Sequence, residues 1–130
     1  MFEAVLQALR TAVPGVQAVY LFGSRARGDA GSESDLDLAV LVDRALDPIL
    51  RWELQERVAG LVQAAVDLVD LRAASAVMRV NVLADAKLLF DGAPYERELF
   101  EATALSDYAR LQEERRAILE QIEREGHVYA

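Results

Sequence analysis

Two aspartates, Asp35 and Asp37, lie one residue apart at the start of an apolar run. In an extended strand, residues two apart point to the same face at a separation of about 6.5–7 Å. Carboxylates that share a face repel each other, by about 4 kcal/mol at 4 Å and an effective dielectric of 20. Their oxygens are ligands that hard cations such as Mg²⁺ or Mn²⁺ prefer. Taken alone, however, such a pair is more often an exposed strand entrance than a metal site.

The loop before these aspartates carries groups that suit phosphate. Gly23 allows the backbone to approach a ligand closely or to adopt a positive φ. Ser24 offers a hydroxyl and an amide, and Arg25 and Arg27 supply positive charge. Phosphate ligands beside cation ligands predict a site for a nucleoside triphosphate. The loop is not a Walker A motif, because Asp29-Ala30 stands where Lys-Ser/Thr is required.

Gly23-Ser24, ten further residues and then Asp35-Leu36-Asp37 resemble the G-S-x10-D-x-D signature of the DNA polymerase beta-like nucleotidyltransferase superfamily. The form G-S-R-A-R-G…S-D-L-D-L-A-V is most similar to the minimal nucleotidyltransferases, and the resemblance covers about residues 16–92. It implies the nucleotidyltransferase fold, which is a small mixed sheet flanked by helices. It also implies nucleotidyl transfer by a mechanism that uses two metal ions.

The resemblance implies a role for each residue of the motif. Asp35 and Asp37 are catalytic residues that hold both metals, with Mg²⁺ as the expected ion and Mn²⁺ as the alternative. ATP is the expected substrate. The residues expected to bind the nucleotide are Gly23, Ser24, Arg25 and Arg27.

The family needs a third carboxylate on a neighbouring strand, and residues 65–71 offer Asp67 and Asp70. These two aspartates are three residues apart, so they face opposite sides of a strand. Asp67 resembles the family's V-D-L-V aspartate and lies in the strand body, where a charge is expensive unless it is paired or bound to a metal. Asp70 is nearer the strand end, where water reaches it more easily. We predict Asp67 as the third catalytic residue and metal ligand, with Asp70 as the alternative.

Minimal nucleotidyltransferases of this kind are similar to the antitoxin partners of HEPN-domain toxins. Family members transfer AMP from ATP to a tyrosine hydroxyl of the toxin. The resemblance therefore implies a protein adenylyltransferase with a HEPN toxin as partner, and Asp67 as a general base beside the attacking hydroxyl. Two other functions stay open: an antitoxin that only sequesters its toxin, and a small-molecule adenylyltransferase. A nucleotide-sugar glycosyltransferase also uses a DxD pair, but it needs a larger chain and gives the Gly-Ser pair no role.

Length and charge restrict the class of protein further. A chain of 130 residues fits one domain, residues 1–130. The net charge of −8 argues against stable nucleic-acid binding, which depends on Lys and Arg. The absence of cysteine excludes a thiolate zinc site and fits the cytoplasm, where we expect the protein. The sequence predicts neither a signal peptide nor a membrane span, and it leaves open whether the chain forms homo- or hetero-oligomers.

Apolar periodicity and turn residues predict the order αβ(loop)βαβαβα, an α/β sandwich around a small sheet. The strand over 35–42 becomes apolar on both faces, which predicts a central position. The loop over 23–34 is expected to contain one helical turn from Ser24. In the last helix the first half should cover the sheet and the charged second half should project. The predicted helices are 2–12, 47–63, 75–83 and about 94–125, and the other predicted strands are 16–22, 65–71 and 87–92. The residues of the second helix expected to face inward are Ile49, Leu50, Leu54, Val58, Leu61 and Val62.

Overall fold

The computed structural model describes residues 2–28 and 35–126. Within these ranges every predicted helix and strand is present, and the helical turn predicted from Ser24 is the short helix that follows the first strand. The elements are α1 (Phe2–Ala12), β1 (Ala18–Phe22), α2 (Gly23–Arg27), β2 (Leu36–Leu41), α3 (Pro48–Val62), β3 (Val66–Asp70), α4 (Ala76–Asp85), β4 (Lys87–Asp91) and α5 (Pro94–Arg124).

The strands form a mixed sheet in the order β3-β2-β1-β4. β1 is antiparallel to both β2 and β4, whereas β2 and β3 are parallel. A parallel pair needs a crossover connection, and α3 supplies it. β2 lies inside the sheet, as its two apolar faces predicted, and residues 38–41 are at most 1% exposed.

Helices cover both faces of the sheet, because the side chains of β2 alternate in direction. Leu36, Leu38 and Val40 join the core that α1 and α3 cover, while Ala39 and Leu41 join the core beneath α4 and α5. Asp35 and Asp37 belong by this alternation to the face of Ala39. The predicted α/β sandwich is therefore confirmed, and both aspartates lie on the side of α4 and α5.

The prediction of which α3 residues face inward was partly wrong. Leu54 and Val58 are buried as expected, but Ile49 is 67% exposed and Leu61 is 49% exposed. α3 packs mainly against α1 and the edge strand β3. The apolar side of α3 is therefore wider than the surface that α1 and β3 offer to cover it.

Residues typical of helix N-caps predicted where α3 and α4 begin. The Asp47 carboxylate accepts from the Leu50 amide at 3.2 Å, and the Ser75 hydroxyl accepts from the Met78 amide at 3.1 Å, so both predicted N-caps are confirmed. α2 ends at Gly28, whose φ of 78° closes the helix in the left-handed region. The remainder of the predicted loop, residues 29–34, lies outside the described residues. In the described part of the chain, no helix combines the length and apolarity needed to cross a membrane.

Side chains of α3 occupy the outer edge of β3. The Leu68 amide donates to Gln55 Oε1 at 3.0 Å, and the Leu68 carbonyl accepts from Arg51 Nη1 at 3.0 Å. Arg51 also donates to Gln55 at 3.1 Å, which fixes the two side chains relative to each other. The backbone groups of Leu68 that point away from β2 are therefore hydrogen-bonded within the chain.

Candidate active site

The connection from β1 to β2 brings Gly23 against the Asp37 side chain. Phe22, the last residue of β1, is the register partner of Asp37, and Gly23 follows it with a φ of 74°. A Cβ added to Gly23 would overlap the Asp37 carboxylate and would lie 3.0 Å from its Cγ. Glycine is thus required here both for the backbone conformation and for the close approach. The sequence left open a close approach to a ligand or a positive φ at Gly23, and it did not reveal that Asp37 is the group approached.

Three carboxylates meet where β2 and β3 begin. Asp37 is the register partner of Asp67 on the parallel strand, and Asp35 lies just before β2. Burial raises the pKa of Asp37, and the negative charges of Asp67 and Asp35 raise it further. The charge of Arg27 acts in the opposite direction and lowers this pKa. Asp35, Asp37 and Asp67 therefore lie close enough to one another to interact electrostatically.

We predicted that water would reach Asp70 more easily than Asp67, and this prediction was wrong. Asp67 is exposed, whereas Asp70 is 4% exposed. Asp70 Oδ2 accepts from the Leu46 amide at 2.7 Å, and its Oδ1 accepts from the Arg72 amide at 3.1 Å. The chain after β2 covers the end of β3, so the strand end is the buried part. Asp70 therefore anchors two loops, and Asp67 remains available at the site.

We expect Asp70→Ala to lower the free energy of unfolding by about 2–4 kcal/mol, because the two amides would lose their acceptor in a buried place. Urea denaturation measures this loss. Asp67→Ala is the matched control on the same strand and should change stability by less than about 0.5 kcal/mol, since its side chain is exposed. Equal losses for the two variants would contradict the anchoring role of Asp70.

The groups predicted to bind phosphate lie on α2, beside the carboxylates. Ala26 is 4% exposed and anchors this helix against the protein, while Ser24 and Arg25 are half-buried. Arg27 Nη1 lies 3.6 Å from Asp85 Oδ2 at the end of α4. The sequence gave no signal for Asp85, because its pairing with Arg27 depends on how α2 and α4 pack. One side of the site therefore carries cationic groups and the other carries carboxylates.

The donor set suits a divalent cation. Asp35, Asp37 and Asp67 offer hard oxygen ligands. Burial raises the pKa of Asp37, and the charges of Asp67 and Asp35 raise it further, so a cation beside them would relieve an existing electrostatic cost. Across residues 2–28 and 35–126, no three His, Cys, Asp or Glu side chains are already gathered as a formed metal-binding group.

The raised pKa of Asp37 predicts a specific pH dependence of stability. The contribution of this group is fully present below its ordinary pKa of 3.8 and is lost as the pH rises through the raised value. The melting temperature of the wild type, compared with that of Asp37→Asn, should therefore fall between acidic and neutral pH. Saturating Mg²⁺ at pH 7, at ten times its Kd, should restore about 1.4 kcal/mol, or about 3–5 °C. A pH-independent difference without a magnesium effect would contradict this electrostatic account.

Comparisons with known proteins agree with this geometry. The family model described as "Polymerase beta, Nucleotidyltransferase" matches residues 4–94. Protein adenylyltransferase MntA of Shewanella oneidensis is 42% identical over 118 residues, which are 91% of this chain and 84% of that protein.

Two solved structures show the same fold. A chain in the crystal structure of a toxin–antitoxin with AMP-PNP is 41% identical with a TM-score of 0.81, and the match covers 92% of this chain and 95% of that one. A chain in the complex of a tri-AMPylated Shewanella oneidensis HEPN toxin with its MNT antitoxin is 39% identical with a TM-score of 0.76, over 92% and 93% of the two chains. By the match of the family model and the identity to these relatives, the chain belongs to the polymerase beta nucleotidyltransferase family.

Proposed function

We propose that this chain transfers AMP from ATP to a tyrosine hydroxyl of a HEPN-domain toxin and thereby silences the toxin. The observation that carries the proposal is the meeting of Asp35, Asp37 and Asp67 beside Gly23 and the cationic helix α2. It is supported by a relative named protein adenylyltransferase and by a related complex that contains an AMPylated HEPN toxin. The proposal places the protein in the cytoplasm, because ATP is its substrate.

In this proposal the β1–α2 connection holds the triphosphate. The Ser24 hydroxyl and the amides at the start of α2 donate to phosphate oxygens, and Arg25 and Arg27 neutralise their charge. Arg27 lies 3.6 Å from Asp85, and its charge lowers the pKa of Asp37, so its guanidinium is near enough to the carboxylates to act on a phosphate bound there. These contacts would hold the pyrophosphate leaving group at α2.

Asp35, Asp37 and Asp67 would hold Mg²⁺, or Mn²⁺ as the alternative, which when bound supplies positive charge to the phosphoryl group in transfer. Asp67 is exposed and can reach a group that enters from solvent. It accepts the proton of the tyrosine hydroxyl as the oxygen attacks the α-phosphorus in line. The bond from the α-phosphorus to the bridging oxygen breaks, and pyrophosphate leaves.

The alternative of an antitoxin that only sequesters its partner is less well supported. Burial, together with the charges of Asp67 and Asp35, raises the pKa of Asp37, so an ionised Asp37 is costly in this place. A surface used only for binding gains nothing from this cost, whereas a site for a cation and a triphosphate requires it. Transfer to a small molecule uses the same site, so the choice of acceptor has to be tested directly.

The test is intact mass spectrometry of the Shewanella oneidensis HEPN toxin after incubation with ATP, Mg²⁺ and this chain. We expect the toxin to gain one or more adenylyl groups with the wild type and none with Asp35→Ala/Asp37→Ala. Tight binding of both proteins to the toxin without any mass gain would overturn the proposal and leave sequestration. Consumption of ATP with hydroxylated small molecules, but not with the toxin, would favour the small-molecule enzyme.

A further inference from the structure

The long helix α5 runs along the sheet towards the active site. It starts after β4, and near its beginning Arg97 Nε lies 3.0 Å from Asp91, the last residue of that strand. One turn later Glu101 accepts a hydrogen bond from the Tyr20 hydroxyl at 2.9 Å. β1 continues from Tyr20 to Phe22, the register partner of Asp37. From Arg97 to Glu101, α5 therefore runs in the same direction as β1, and the last residue of β1 lies beside the active-site carboxylates.

α5 is much longer than the sheet that it covers. From Glu101 to Arg124 it extends about 34 Å at 1.5 Å per residue. Only about 7 Å of strand separate Tyr20 from Phe22. The helix consequently passes the edge of the sheet where the active site lies, and residues 113–126 are all exposed. The projection predicted for this charged half is confirmed, and it occurs at the active-site end.

The side of α5 that packs against the protein continues along the projecting part. Phe100 and Ala104 are buried, Leu111 is half-buried, and Ile118 and Ile122 continue the same stripe at spacings of seven and four residues. Ile118 is 57% exposed and Ile122 is 51% exposed. The apolar contact surface therefore extends beyond the sheet, where Ile118, Leu119 and Ile122 are exposed. We call it the distal face, formed by Leu111, Arg115, Ile118, Leu119 and Ile122.

We propose that the distal face is the docking surface for the acceptor protein, an inference that rests on the proposed function. The acceptor hydroxyl must reach the carboxylates at this end of the sheet, so the protein that carries it must occupy the space beside the projecting helix. A second copy of this chain has no such requirement. Arg115 is the charged member of the distal face, so it fits a partner whose apolar patch includes a carboxylate.

The experiment compares wild type with Ile118→Asp/Ile122→Asp, using the Shewanella oneidensis HEPN toxin as the probe. The Kd is measured by calorimetry, and the KM values for toxin and for ATP are measured by AMP transfer. We expect the double variant to raise the Kd and the toxin KM at least about tenfold, with the KM for ATP unchanged. Both substituted positions are exposed, so circular dichroism should show an intact fold.

Leu99→Asp is the matched control, because Leu99 is an exposed leucine on the same helix at the opposite end of the sheet. It should bind and modify the toxin like wild type. If the double variant also binds and transfers like wild type, the docking inference fails and the proposed function stands. If the variant loses binding but even wild type transfers nothing, docking stands and the proposed function fails. If light scattering shows that the wild type is a dimer and the double variant is not, while toxin binding is unchanged, the distal face serves self-association and the docking inference fails. If neither protein binds or modifies the toxin, the docking inference and the proposed function both fail.

Discussion

Asp37→Asn is expected to lower the rate of AMP transfer by about 10³-fold without lowering stability at neutral pH. The substitution removes the central carboxylate of the three, and with it one of the three negative charges that can hold a cation at the phosphoryl group. Metal-ion stabilisation of the transition state is worth several kcal/mol, and a loss of about 4 kcal/mol corresponds to about 10³-fold in rate. Stability should stay equal or rise, because burial and two neighbouring carboxylates disfavour the ionised form of Asp37.

Single-turnover kinetics and thermal denaturation measure these two effects separately. Asp43→Asn is a suitable control, since Asp43 is an exposed carboxylate that follows β2 at its far end. It should change neither the rate nor the melting temperature appreciably. A rate for Asp37→Asn within tenfold of wild type would show that Asp37 is not part of the catalytic site.

Gly23→Ala should also abolish most of the activity, by about 10²-fold, although the added group is only a methyl. The new Cβ would collide with the Asp37 carboxylate and force that side chain to move. Displacement of a catalytic group by about 1 Å can cost about 10²-fold in rate. The residue would also have to adopt a φ of 74°, which costs an L-residue about 1–2 kcal/mol.

Gly15→Ala separates the collision from the backbone strain. Gly15 has a φ of 88°, and a Cβ there would meet no atom within 4 Å. It lies in the turn between α1 and β1, at the other end of β1 from the site. Both variants should lose about 1–2 kcal/mol in urea denaturation, but only Gly23→Ala should lose activity. A comparable loss of activity in Gly15→Ala would attribute the effect at Gly23 to stability alone.

Much of the site could be predicted from the sequence because it depends on local rules. Strand alternation places Asp35 and Asp37 on one face, and a glycine before a helix implies a special backbone conformation. The relative solvation of Asp67 and Asp70 could not be predicted, because it depends on the chain after β2 folding over the end of β3. The pairing of Arg27 with Asp85 is likewise a result of helix packing, and no spacing in the sequence reveals it.

The hydrogen bonds from Arg51 and Gln55 to Leu68 have a consequence for aggregation. A free sheet edge is a template on which another extended chain can add, and repeated addition leads to fibres. At Leu68 both outward backbone groups are already used, so β3 is a poor template. The other edge strand is β4, which carries Lys87 at its start and, at its end, Asp91 paired with Arg97 of α5. An incoming chain would therefore meet charged side chains at both ends of β4, which restricts polymerisation of a protein whose short sheet has two edges.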